Sequence, residues 1–301
     1  MTHEEHSTPG LHLEQELRSQ PDSWARAASL TAEQAALPAS GARVAVVGCG
    51  TSWFMAQSFA ALRESGGHGV TDAVTASEPF PQRHYDAVIA LSRSGTTTEV
   101  LEVLRALRGQ IPTIGIIGDP NTPMTDLVDT VIALPFADEQ SVVQTRFATT
   151  ALALMRASLG ESLDEVIAQG REAVDAVLDE SLIAADQYTF LGTGFSIGLA
   201  NEAALKMREA SQSWTESYPA KEYRHGPISI AAPGRVTWMF GTPPDGLAAS
   251  VTAAGAHFEN RAVDPMADLI RAQRVALERA RRAGLDPDLP RNLTRSVILD
   301  S

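Results

Sequence analysis

Eight consecutive residues, Ser92, Arg93, Ser94, Gly95, Thr96, Thr97, Thr98 and Glu99, place hydroxyls and a glycine between an apolar run and an amphipathic one. A strand-to-helix junction of that kind offers free backbone N–H groups and the positive end of a helix dipole, and the hydroxyls add further donors. A phosphate suits such a junction. The same residues also read as a well-capped helix, because Thr96 and Glu99 stand at capping-box spacing. A second segment, NEAALKMREASQSWTESYPAKEYRHGP (201–227), sets Glu202, Lys206 and Glu209 at i, i+4 and i+7, along one face of a helix. That spacing is common in a solvated ion-pair face, yet the intervening Ala203, Ala204 and Leu205 are small or apolar, as in a helix packed on most sides. Glu216, Glu222 and His225 follow beside Gly226 and Pro227, so carboxylates and an imidazole gather near one helix end.

Other chemistries find less support. GCGTSW (48–53) has Trp53 where a dinucleotide fingerprint needs its third glycine, and GTGFSIG (192–198) carries that glycine one residue late. His3 and His6 fall near the N-terminus, and His68, His84 and His257 have no partner at ligand spacing, so neither a metal site nor a cofactor is expected. The single cysteine, Cys49, excludes an intramolecular disulfide and a thiolate zinc framework.

The elements that must position these residues are legible as alternating patterns. Residues 11–36 predict two short helices interrupted at Pro21. RVAVVGCG (43–50) is a buried strand ending in glycines, and QSFAALRESGG (57–67) continues a helix to a glycine stop. Strand and helix recur over 85–109, strands are expected at 112–119 and 130–136, residues 141–182 read as helical, and a strand follows at 187–194. Gly48, Gly50, Ser52, Ala56 and Ala60 recur at constant offset as Gly192, Gly194, Ser196, Ala200 and Ala204, close to half the chain length. Two copies of one parallel α/β unit are inferred. The expected division is an N-terminal helical segment (1–36), a first domain (37–160), a connecting helix (161–186) and a second domain (187–301), which agrees with roughly 150 residues per domain in a 301-residue chain.

Composition narrows the partners. With 24 Lys plus Arg against 37 Asp plus Glu, the net charge is -13, which disfavours sequence-independent binding to nucleic acid. A local pocket of amides and hydroxyls can still hold a small phosphorylated molecule. No apolar run is long enough to span a bilayer, and MTHEEHSTPG is acidic where a signal peptide is basic, so a cytoplasmic protein is expected.

GCGTS (48–52), SRSGTTTE (92–99), SVVQTR (141–146), NEAALKMRE (201–209), RHGP (224–227) and PRNL (290–293) resemble the motifs of the sugar isomerase (SIS) domain family. The resemblance is to the isomerase half of glutamine–fructose-6-phosphate amidotransferase and to the related aminosugar-6-phosphate deaminases. It implies tandem flavodoxin-like doubly wound parallel sheets, preceded here by the short helices. It implies that Ser52, Ser92, Ser94 and Thr97 bind phosphate, that Gly50, Thr51 and Gly95 shape the loops, and that Val142 and Gln144 line the sugar. Glu209 corresponds to the carboxylate moving a proton between C1 and C2, Lys206 to an accessory lysine, and His225 to a ring-opening imidazole supplied by the partner in a homodimer. Arg93 and Arg295 complete the expected substrate-binding set.

Two departures direct the choice of reaction. Arg93 stands where the amidotransferase has glutamine, as in the deaminase branch, and Arg295 replaces a lysine that would form an imine with the ketose. Arginine stays protonated and cannot do this. With no glutaminase segment in the sequence, the expected activity is an isomerising deaminase that turns an aminosugar 6-phosphate into a ketose 6-phosphate and ammonia. A fructosamine-6-phosphate deglycase, a plain aldose–ketose isomerase and a non-catalytic sugar-phosphate sensor are the alternatives.

Overall fold

The computed structural model describes residues 8–299. His3 and His6 lie outside that range. Three helices come first, α1 (Leu11–Arg18), α2 (Gln20–Ala28) and α3 (Thr31–Ala35). Pro21 is tolerated near the start of α2, where a backbone N–H would have no helical partner. The chain then builds β1 (Val44–Gly48), α4 (Thr51–Ser65), β2 (Thr71–Thr75), β3 (Ala87–Ser92), α5 (Thr98–Leu107), β4 (Thr113–Ile117) and β5 (Thr130–Ala133). These five strands form a parallel sheet in the order β2-β1-β3-β4-β5. β1, β3 and β4 are buried along their whole length, which is why they read as unbroken apolar runs.

Helices α6 (Arg146–Ser158), α7 (Asp164–Asp175) and α8 (Glu180–Ala184) lead to a second parallel sheet. It comprises β6 (Gln187–Gly192), β7 (Thr215–Pro219), β8 (Arg235–Met239) and β9 (His257–Asn260) in the order β7-β6-β8-β9, with α9 (Ser196–Ser211) between β6 and β7 and α10 (Leu247–Ala253) between β8 and β9. The order repeats that of the first sheet with one strand fewer. The long helix α11 (Pro265–Arg282) closes the second half, and residues 283–299 run back to the first.

The helical reading of 141–182 needs correction at its start: 141–145 is irregular and α6 begins at Arg146. Glu139, 1% exposed, accepts the N–H groups of Thr145 (2.7 Å), Arg146 (2.7 Å) and Phe147 (3.1 Å), and so ends the irregular segment by capping the helix from outside it. One apolar core joins the halves, drawing Val46, Phe59 and Ile89 from the first and Leu199, Phe190 and Trp238 from the second. α4 and α9 meet so closely at Gly198 that a Cβ there would stand 2.3 Å from the Phe54 carbonyl oxygen, and Ser58 Oγ donates to the Phe195 carbonyl at 2.9 Å beside it. Among the described residues no helix is long and apolar enough to cross a membrane.

Candidate active site

In the first sheet the chain leaves β1 for β2 on one side and returns to β3 on the other. A parallel sheet opens a crevice at such a switch, outside the carboxyl ends of the two strands. A cavity of about 200 Å³ lies there. Its walls include Gly50, Thr51 and Ser52 from the β1–α4 turn, Ser92 to Ser94 and Thr97 from the β3–α5 turn, Val142 and Gln144, Lys206 and Glu209 from α9, and Thr294 to Val297 from the C-terminal segment.

The β3–α5 turn forms because Gly95 adopts φ +62°; a Cβ at that position would stand 2.0 Å from Thr122 Oγ1. Ser92 Oγ accepts the Gly95 N–H at 3.0 Å and Ser94 Oγ the Thr96 N–H at 3.3 Å. Each hydroxyl has thereby used a lone pair on the backbone and keeps its proton for another acceptor. With the first turns of α4 and α5 converging on the same space, the arrangement is a donor-rich cradle for an anion.

Arg93 and Arg295 line the cavity, but their guanidinium groups serve its walls. Arg93, 4% exposed, donates to the carbonyls of Ser141 (2.9 Å), Val142 (3.4 Å) and Arg295 (2.8 Å). Arg295 donates to the Glu139 carbonyl and pairs with Asp138 at 2.5 Å. The anion cradle therefore relies on neutral donors and helix ends, and the two arginines pin the 138–142 segment and the C-terminal segment over it.

The opposite wall is α9. Lys206, 2% exposed, hydrogen-bonds Glu209, whose side chain is 19% exposed and reaches the cavity. Glu202 Oε1 stands 3.6 Å from the same ammonium, with its side chain fully buried. Burial pushes the Glu202 carboxyl up to about 8, against the pull of Lys206. Burial disfavours the Lys206 ammonium too, yet its two carboxylate neighbours together outweigh this and hold its pKa above that of an ordinary lysine. Gln144 Nε2 is buried without a protein partner and so keeps a donor for a ligand.

His225 is not in this cavity; it is exposed, on the turn Glu222–His225 beyond β7. Three contributors were not singled out from residue types. The C-terminal residues Thr294, Ser296 and Val297 join the wall through long-range contacts, Thr96 Oγ1 donating to Ser296 Oγ at 2.9 Å and Thr98 N–H to the Val297 carbonyl at 3.2 Å. Cys49 also lines it, but burial pushes its thiol up to about 11, which keeps it protonated. Glu139 acts from behind as the cap of α6. The short distance from PRNL to Arg295 was the one sequence signal for the C-terminal wall.

The crevice thus sets a cradle of hydroxyls and backbone donors opposite a carboxylate and a lysine. Residues 39–159 match the SIS domain family. Glutamine–fructose-6-phosphate aminotransferase from Nostoc is 26% identical over 86% of this chain and 52% of its own length, and the Sulfurisphaera tokodaii enzyme of that name is 28% identical over 86% and 50%. The chain thus spans about half the length of these curated relatives. In fold it matches a glucosamine-6-phosphate deaminase from Thermotoga maritima (TM-score 0.81, 23% identity, 95% of this chain and 99% of that one). It also matches tagatose-6-phosphate ketose/aldose isomerase from Escherichia coli (TM-score 0.78, 20% identity, 94% and 98%).

Proposed function

We propose that the protein is an isomerising aminosugar-6-phosphate deaminase. The observation that carries this reading is a single cavity with neutral anion donors at one end and Glu209, backed by Lys206, at the other. Phosphate held by Ser52, Ser92, Ser94 and Thr97 would fix the sugar so that C1 and C2 meet the carboxylate, with binding energy used for orientation. Glu209 removes the C2 proton of the open-chain aldose, an enolamine forms, and the proton is returned at C1. Water adds to the resulting C2 imine and ammonia leaves, so that aminosugar phosphate and water become ketose phosphate and ammonia. Arg295 occupies the C-terminal wall and cannot form an imine with a ketose, which favours loss of nitrogen over its transfer.

The remaining parts of the reading are built on the same family likeness. The two sheets are tandem flavodoxin-like SIS units of a cytoplasmic enzyme, divided near 37–160 and 187–301. His225, exposed and outside its own chain's cavity, opens the sugar ring in the cavity of the partner in a homodimer.

The test is ammonia release with NMR of the sugar, using glucosamine 6-phosphate and galactosamine 6-phosphate in turn. Ammonia with a ketose phosphate is expected, and its loss in Glu209→Gln with ligand binding retained assigns the base. A ketose formed without ammonia from an unsubstituted aldose 6-phosphate would replace the deaminase by an isomerase, ammonia-free cleavage of fructosamine 6-phosphate would indicate a deglycase, and binding without turnover would make it a sensor.

A further inference from the structure

Two serines of the β3–α5 turn share a hydrogen-bond pattern with a third that comes from the other end of the chain. Ser92 Oγ accepts the Gly95 N–H, Ser94 Oγ accepts the Thr96 N–H, and Ser296 Oγ accepts from the Thr96 hydroxyl at 2.9 Å. All three serines line the same cavity. With a lone pair used in that bond, Ser296 keeps its proton for another acceptor, as Ser92 and Ser94 do. Its burial agrees: within 291–299 Ser296 alone is half-buried, between exposed neighbours on both sides, so the C-terminal segment turns this one residue inward. Thr96 ties the two sides together, its backbone donating to Ser94 and its side chain to Ser296. The arginines nearby are engaged in the walls, Arg93 with three carbonyls and Arg295 with Glu139 and Asp138. An anion here draws on neutral donors, and the three terminal oxygens of a phosphate can accept from both sides at once.

We propose, resting on the phosphate reading of this cavity given above, that Ser296 is a further phosphate-binding residue, whose hydroxyl donates to the anion from the C-terminal segment while Ser92 and Ser94 donate from the β3–α5 turn. An anion held in this way bridges the two elements and adds to the ties that Arg93 and Thr96 already make between them. Ser92 and Ser94 stay with the sheet when the segment lifts, whereas Ser296 leaves with it. Phosphate binding and attachment of the segment are therefore linked: the factor by which Ser296 tightens the anion is the factor by which the anion suppresses detachment. A hydrogen bond from a hydroxyl to a charged acceptor makes that factor about tenfold.

Brief trypsin digestion at Arg291 and Arg295, read by intact mass, follows detachment in the full chain, with inorganic phosphate as the probe and chloride at matched ionic strength as the reference. Saturating phosphate is expected to slow cleavage of the wild type about tenfold. Ser296→Ala is expected to lose that protection to within about twofold, and to bind phosphate about tenfold more weakly by calorimetry. Two further variants separate a ligand contact from a structural one. Thr96→Val removes the same Thr96–Ser296 hydrogen bond but leaves the Ser296 hydroxyl, so it is cut faster without phosphate, as Ser296→Ala is, and is still protected by it. Ser94→Ala needs more phosphate, yet reaches the full protection at saturation, because its hydroxyl lies on the turn and not on the segment. Protection of Ser296→Ala equal to that of the wild type overturns the proposal and leaves the phosphate cradle standing. A wild type that neither binds phosphate nor is protected by it overturns both.

Discussion

Arg93→Ala separates a wall-building arginine from an anion-binding one. The guanidinium holds three carbonyls, two of them at 2.8–2.9 Å (Arg295 and Ser141) and the third, Val142, at 3.4 Å. Hydrogen bonds from a charged donor contribute about 1.5–3 kcal/mol each, and the longest of the three adds little. Part of that gain offsets the cost of burying the guanidinium, so the net loss on truncation is about 3 kcal/mol. The loss falls on the contact between the β3–α5 turn and the C-terminal segment, whose other ties are Thr96 to Ser296, Thr98 N–H to Val297 and Leu299 N–H to Thr98. About 3 kcal/mol corresponds to roughly a 100-fold rise in the population with that segment detached. Arg291 and Arg295 are trypsin sites within it. Brief trypsin digestion read by intact-mass spectrometry is therefore expected to cut Arg93→Ala there about 100-fold faster than the wild type, and Arg93→Lys, which lacks the planar fork, nearly as fast. Cleavage within about twofold of wild type, combined with a lost affinity for sugar phosphate, would refute the wall role and return Arg93 to the anion.

Ser94→Ala removes one outward donor of the cradle and is expected to weaken sugar-phosphate binding about tenfold by calorimetry; unchanged affinity would remove that hydroxyl from the cradle. Glu16 of α1 is buried behind the cavity, where its Oε1 accepts Gln140 N–H at 2.5 Å, and burial, aided by the charge of Glu139, pushes its carboxyl up from 4.5 to about 7. The folded state thus keeps a proton that the unfolded chain releases, so stability falls as pH rises from 4.5 to about 7, and Glu16→Gln should be more stable than wild type near pH 8, by up to about 3 kcal/mol, with the difference closing toward pH 4. Melting curves at the two pH values check this, and a difference independent of pH would contradict it. If His225 acts across a dimer, mixing inactive Glu209→Gln and His225→Ala chains under exchange restores about a quarter of wild-type activity, because half the dimers then hold one intact site; no recovery places the imidazole elsewhere.

What the residues disclosed in advance follows burial. β1, β3, β4 and β6 are enclosed on both faces and announce themselves as apolar runs, whereas the edge strands β2 and β7 alternate unevenly between core and solvent and carry no comparable signal. The cradle was legible because hydroxyls, glycine and a strand–helix junction are local properties. Arg93 was not, because an arginine beside a phosphate-type loop has the same residue type whether its donors face an anion or three carbonyls. Only the return of residues 293–299 to the first sheet, after nearly the whole second half has been built, decides between them. Glu202 illustrates the same limit from the other side. Its spacing to Lys206 and Glu209 is written in the chain, but the close packing of α9 against α4 at Gly198 is not, and a carboxyl that would be a surface ion-pair partner on an exposed helix is here fully buried and pushed up to about 8. The chemistry of this site therefore depends on the closeness of two helices as much as on the identity of the groups they carry.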